Sequence, residues 1–138
     1  MTAGPASFFY AGLLGLLLIA LSAQVVLARR RYRVGLGAGT EAGLQQAIRV
    51  QANFVEYVPF AVILLVLAEL TGLPVPALHG AGILLVASRI LHAVGLSQSP
   101  GRSFGRIYGT AGTWFVIVAL SLWILAATTG AFRSPATG

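Results

Sequence analysis

The chain has no cysteine, no lysine and only three acidic residues among 138. Without cysteine there is neither a disulfide nor a protein thiol nucleophile, so any thiol chemistry has to be supplied by a substrate. Without lysine, all nine basic residues are arginines, and the formal net charge is +6. Charged residues make up 9% of the chain against 57% hydrophobic ones, and the mean hydropathy is +0.88. A water-soluble domain of this length needs a polar surface that this composition cannot provide. The arginine excess does not point to nucleic acid. The arginines gather at the borders of apolar runs, which is the pattern of a topology signal in a membrane protein.

What is present is a set of apolar runs, each long enough to cross a bilayer, which takes about 20 residues. They cover residues 6–30, 41–71, 76–96 and 103–129, and predict one membrane domain over the whole chain. The first run has no positive charge before it, exceeds a signal-peptide core and is followed by arginines, so it reads as a retained helix. Arg29-Arg30-Arg31-Tyr32-Arg33 stops it. A glycine-rich loop from Gly35 follows, with Thr40 placed to cap the second helix. Gly72-Leu73-Pro74-Val75-Pro76 makes a turn, Ser97-Gln98-Ser99-Pro100-Gly101 ends the third run, and the tail from Gly130 is expected to fray. The runs are too long for strands, so the predicted class is all-α, a four-helix transmembrane bundle. Arg29, Arg30, Arg31 and Arg33 follow the first span, and Arg102 and Arg106 follow the third. The positive-inside rule then predicts cytoplasmic basic loops and both termini outside. Small residues four apart, Ala11 with Gly15 and Gly105 with Gly109 and Thr113, are spaced for close helix approach.

Polar residues inside the second run carry the functional signal. At 100° per residue, Arg49, Asn53 and Glu56 share one face within about 60°. Gln45 extends that stripe, and Tyr57 flanks it. Ionisable groups at membrane depth are costly and mark a functional site. An Arg and a Glu two turns apart can also neutralise each other as a purely structural pair. Gln51 points to the opposite side and needs a polar partner from another surface, such as a neighbouring subunit. Arg89 and His92 share a face of the third run, toward the same membrane level as Arg49. Together with Arg29, Arg30 and Arg102 they place many cations around the single carboxylate of Glu56, an arrangement suited to a small anionic ligand that also carries an ammonium group. No metal site is expected, because His92 has no second histidine at ligand spacing. Pro59 removes a backbone donor inside the second helix and is expected to kink it. Trp114 and Trp123 are expected to face lipid or pack.

The pattern Arg49-x-Gln51-x-Asn53-x-x-Glu56-Tyr57-x-Pro59, preceded by Ala28-Arg29-Arg30 with Arg33-Val34, resembles that of the MAPEG superfamily of membrane-associated proteins in eicosanoid and glutathione metabolism. The four-span layout extends the resemblance over nearly the whole chain. It implies a homotrimer that binds glutathione between protomers, opening toward the cytoplasm. Arg49, Asn53, Glu56 and Tyr57 would hold glutathione from one protomer, with Gln51 and Arg29 from its neighbour and Arg30 near the reacting end. Arg49 would pair with a carboxylate and Glu56 with the amino group. Arg89 and His92 would add to the binding set. The sequence departs from the leukotriene-synthase branch: His92 and Leu96 stand where that branch has tyrosines, and Ser103 where it has the arginine that stabilises the thiolate. Arg102 is the nearest substitute, with Arg106 one turn further on. The implied activity is a glutathione transferase or peroxidase acting on a lipophilic electrophile that arrives through membrane lipid. The alternatives are a non-catalytic member that binds lipid or a partner protein, and a small four-helix drug exporter. The exporter is disfavoured because the first helix lacks the carboxylate such exporters use.

Overall fold

The computed structural model describes residues 5–98 and 103–130. It contains four α-helices, α1 (Ala6–Tyr32), α2 (Ala42–Leu70), α3 (Val75–Gln98) and α4 (Phe104–Thr128), close to the expected runs and each long and apolar enough to span a bilayer. Successive helices run antiparallel. The start of α2 meets the end of α3 where Gln46 Nε2 donates to the Leu96 carbonyl (2.5 Å), and the end of α2 meets the start of α1 through Glu69. α2 and α3 each touch all three other helices, whereas α1 and α4 do not meet among the described residues.

The core lies around these two central helices. Val50, Phe54, Val58, Ala61, Leu65 and Ala68 repeat every three or four residues along α2 and are buried against Tyr10, Leu14 and Leu21 of α1, Leu78 and Leu85 of α3, and Val116 and Leu120 of α4. At most 44% of the most apolar stretch of any helix is buried inside the chain, so the rest is left for lipid or for other copies. Trp114 faces outward, and Trp123 packs against the core. α2 remains one helix through Pro59, whose ring removes the N–H that the Val55 carbonyl would accept from.

The small-residue row of α4 is used. Gly105 lies against Leu91 and Gly95 of α3, and Gly109 lies against Ser88 and His92, so the two backbones are in contact. The corresponding row on α1 is not used within the chain, because a Cβ added at Gly15 would meet nothing within 4 Å.

One helix end differs from the sequence reading, and another is capped by a residue distant in sequence. Thr40 does not cap α2; Glu41 takes the cap position, with no side-chain cap bond. The start of α1 is capped from a distance. The Glu69 carboxylate accepts from the N–H of Ala6 (2.7 Å), the N–H of Ser7 (3.0 Å) and the Ser7 hydroxyl. An anion there satisfies orphan donors and complements the helix dipole. Next to it, Tyr10 Oη lies 2.8 Å from His79 Nδ1, tying α1 to α3. Glu69→Ala should therefore lower stability by about 1–2 kcal/mol, the usual cost of losing a cap. The check is a reduced thermal midpoint, with faster amide exchange confined to the first turn of α1.

Candidate functional site

At the end of the bundle where α1 gives way to α2 and α3 to α4, a cavity of about 460 Å³ opens between α2, α3 and α4. α2 supplies Ala42, Gln45, Gln46, Arg49 and Asn53, which repeat at three- and four-residue spacing along one face. α3 supplies His92 and Leu96, and α4 supplies Arg106 and Thr110. The glycine seam makes this geometry possible: with α4 pressed backbone to backbone on α3, His92 and Arg106 stand on adjoining walls.

Arg49 and Glu56 belong to the same stripe. Arg49 Nη2 lies 3.9 Å from Glu56 Oε1, and their side chains are 60% and 50% exposed. This is a loose pair, and both groups remain open to other partners. Glu56 stands midway between Ala42 and Leu70, so its carboxylate is far from either end of the span. With Tyr57 it borders a second recess of about 420 Å³, otherwise walled by Phe60, Trp114, Ile117 and Val118. An apolar recess thus lies further along α2 and α4 than the polar cavity.

Arg89 is not at the cavity surface. Its side chain is 1% exposed, and Nη2 donates to Asn53 Oδ1 (2.9 Å) while Nη1 donates to Thr113 Oγ1 (3.5 Å). Its guanidinium carbon lies 5.6 Å from the Phe54 ring centre. The expectation of a direct ligand contact is corrected on this point. Although Arg89 shares a face with His92, it is one turn deeper, where the three helices close on each other. His92 does reach the cavity. It is buried, and its Nδ1 has no hydrogen-bond partner among the described residues.

The remaining predicted residues lie elsewhere in the single chain. Gln51 turns away from the cavity, and within the chain its Nε2 donates to Ser22 Oγ of α1 (3.4 Å). Arg29 Nη1 donates to the carbonyls of Gly37 (2.9 Å) and Gly35 (3.3 Å), pinning the loop after α1. Arg30 is exposed on α1, which contributes nothing to the cavity wall. Arg102 lies outside the described residues. Ser103 is the N-cap of α4: its Oγ accepts from the Arg106 N–H (3.3 Å) and donates to the Gly95 carbonyl (2.9 Å). Among the described residues no three His, Cys, Asp or Glu side chains come together to hold a metal.

Sequence reasoning passed over Gln46 and Thr110 and left Arg106 as a second choice. Gln46 precedes Arg49 by three residues, so the same 100° arithmetic that joined Arg49 to Asn53 would have found it. Arg106 and Thr110 are four apart on α4 and could have been joined in the same way.

Four antiparallel apolar helices, three of which wall a cation-lined cavity at one end of the bundle, define a multi-pass membrane protein with a polar site. The model of the MAPEG family matches residues 7–126, and the chain belongs to that family. It is similar to Inner membrane protein YecN of Escherichia coli (strain K12), with 38% identity over 122 residues, covering 86% of this chain and 92% of that one. The protein of the same name from the O6:H1 strain matches to the same extent.

Proposed function

We propose that the protein is a homotrimer of a bacterial inner membrane that binds glutathione, or a closely related small thiol, and joins it to a lipophilic electrophile or uses it to reduce one. The observation that carries this reading is the cavity itself. Arg49, Arg106 and Asn53 line it, and Glu56 stands beyond them on the same helix stripe. A γ-glutamyl group carries a carboxylate and an ammonium on one carbon. The loose Arg49–Glu56 pair offers the complementary charges in that order. Half-exposed charges near the middle of a span are costly against lipid, which supports coverage by a second and third copy. The neighbouring copy's α1 would then bring Arg29 and Arg30 to the same site, while the outer apolar surface stays in lipid. Basic loops in the cytoplasm and termini outside complete the arrangement, with the thiol entering from the cytoplasm.

The chemistry asked of the chain is modest. A guanidinium beside the sulfur stabilises the thiolate; Arg106 stands in the cavity wall, and Arg102, four residues before it in sequence, is the other candidate. The thiolate forms a bond to the electrophilic carbon while the leaving group departs with its electron pair. Reduction of a lipid hydroperoxide starts from the same thiolate and consumes a second thiol. The apolar recess beside Glu56 and Tyr57 is a route for a substrate dissolved in lipid, and fixed geometry supplies the rest.

A non-catalytic reading has its own support in Ser103 and Leu96. Ser103 is occupied as a helix cap, and Leu96 puts an aliphatic side chain in the wall, so the pocket could hold a thiol without activating it. Titration calorimetry of glutathione into the detergent-purified protein tests the shared claim. One saturable site per chain is expected, and no binding to a well-folded assembly overturns it. Consumption of glutathione in the presence of a reactive aryl halide then separates transferase from binder.

A further inference from the structure

Arg89 is a guanidinium sealed inside a membrane protein with no carboxylate in contact among the described residues. An ion so placed is costly to keep, and a structural role in packing alone would be served by an aliphatic side chain. Its contacts show what it is spent on. Guanidinium has only N–H donors, so the Asn53 atom 2.9 Å from Nη2 can only be the amide oxygen. This settles an orientation that an asparagine is otherwise free to reverse. Arg89 itself cannot swing, because Thr113 holds its other nitrogen and the Phe54 ring lies beside it. With its oxygen committed below, Asn53 has its NH₂ group left for the cavity that it lines.

We infer that Arg89 is a positioning residue which locks the Asn53 amide with its NH₂ toward the cavity, so that the ligand atom docking there is a hydrogen-bond acceptor, a carboxylate or peptide carbonyl oxygen. The inference rests on the thiol-binding reading for the identity of its ligand. It makes the cavity floor a fixed donor that a flipped amide, presenting oxygen to oxygen, would turn into a repulsive contact. Arg89 thereby acts on affinity without touching the ligand.

The test is a double-mutant cycle read by glutathione titration into the intact, detergent-solubilised protein. Asn53→Ala and Arg89→Met are each expected to weaken binding about tenfold. Their combination is expected to be no weaker than the worse single variant, because both remove the same oriented donor. Arg89→Lys keeps a buried cationic donor and is expected to recover most of the affinity. In protein labelled with ¹⁵N-asparagine, the Asn53 side-chain amide signal should shift on adding glutathione to the native chain, and lose that response in Arg89→Met. Should Arg89→Met not fold, Asn53→Asp takes its place. It retains a partner for Arg89 but offers the cavity only an acceptor, and is expected to lose binding while keeping its thermal midpoint. An additive cycle, with the double variant about a hundredfold weaker, overturns the inference alone, as does native-like binding by Asn53→Asp. Failure of the native chain to bind glutathione overturns the thiol reading and takes this inference with it.

Discussion

Replacing Arg49 by alanine is expected to weaken glutathione binding by about a hundredfold, the largest loss of any single truncation in the cavity. The argument is one of charge and place. Arg49 is the cation on the α2 stripe that both lines the cavity and faces Glu56, and it offers the bidentate geometry that a carboxylate matches. Removing one partner of a charge pair in a partly desolvated site typically costs about 2–5 kcal/mol of affinity, part of it for the group left alone. The fold should barely respond. Arg49 and Glu56 are 3.9 Å apart and half-exposed, and a loose pair of that kind contributes little to stability. Arg49→Lys, with its point charge, should fall between alanine and the native chain. Glu56→Gln should cost less, about tenfold, since it removes only the contact to the ammonium group. Calorimetry on the purified variants, with thermal midpoints measured alongside, decides the matter. Native affinity in Arg49→Ala would place the ligand somewhere other than this cavity.

That Arg49 and Asn53 could be joined from the sequence, while Arg89 was misplaced, reflects what a helical repeat can and cannot say. Rotation about one helix axis is fixed by residue spacing, so the α2 face was legible, and Gln46 was legible by the same rule though passed over. How deep a residue sits between helices depends on where neighbouring helices converge. Arg89 and His92 share a face and are both buried, yet His92 lines the cavity while Arg89, one turn away, is bonded to Asn53 and Thr113. The Gln51 reading had the same limit. Its direction away from the stripe was legible, whereas the Ser22 hydroxyl on α1 that it meets within the chain was not. Helix ends were legible wherever glycine, proline or arginine punctuated the chain. The cap of α1 was not, because Glu69 reaches it from the far end of α2 and no local spacing encodes that contact. Nor does the sequence reveal that Ser103 is engaged in bonding both Gly95 and Arg106, which requires the last turns of α3 to lie beside the start of α4.

The second large effect concerns the seam that sets the distance between the walls. Gly109→Ala is expected to destabilise the bundle by about 1–3 kcal/mol, the range for overpacking a closed contact, and Gly109→Leu by more. A Cβ at Gly109 would stand 2.6 Å from both the Ser88 carbonyl oxygen and the His92 backbone nitrogen, and one at Gly105 would stand 2.7 Å from the Leu91 carbonyl oxygen. These obstacles are backbone atoms, which cannot rotate aside as a side chain can, so α4 has to move away from α3. His92 is one of the obstructing residues, and Arg106 lies less than a turn before Gly109 on α4. Displacement at the seam therefore moves two cavity walls at once. Stability and affinity should fall together in Gly109→Ala, whereas in Arg49→Ala only affinity falls. Gly15→Ala is the matched control within the chain: nothing lies within 4 Å of its added Cβ, so the monomer fold should tolerate it. A native thermal midpoint in Gly109→Ala would show that the α3–α4 contact is slack, and the cavity could not then owe its shape to it. A loss of assembly in Gly15→Ala with the helices intact would instead place the unused small-residue row of α1 at a contact between copies.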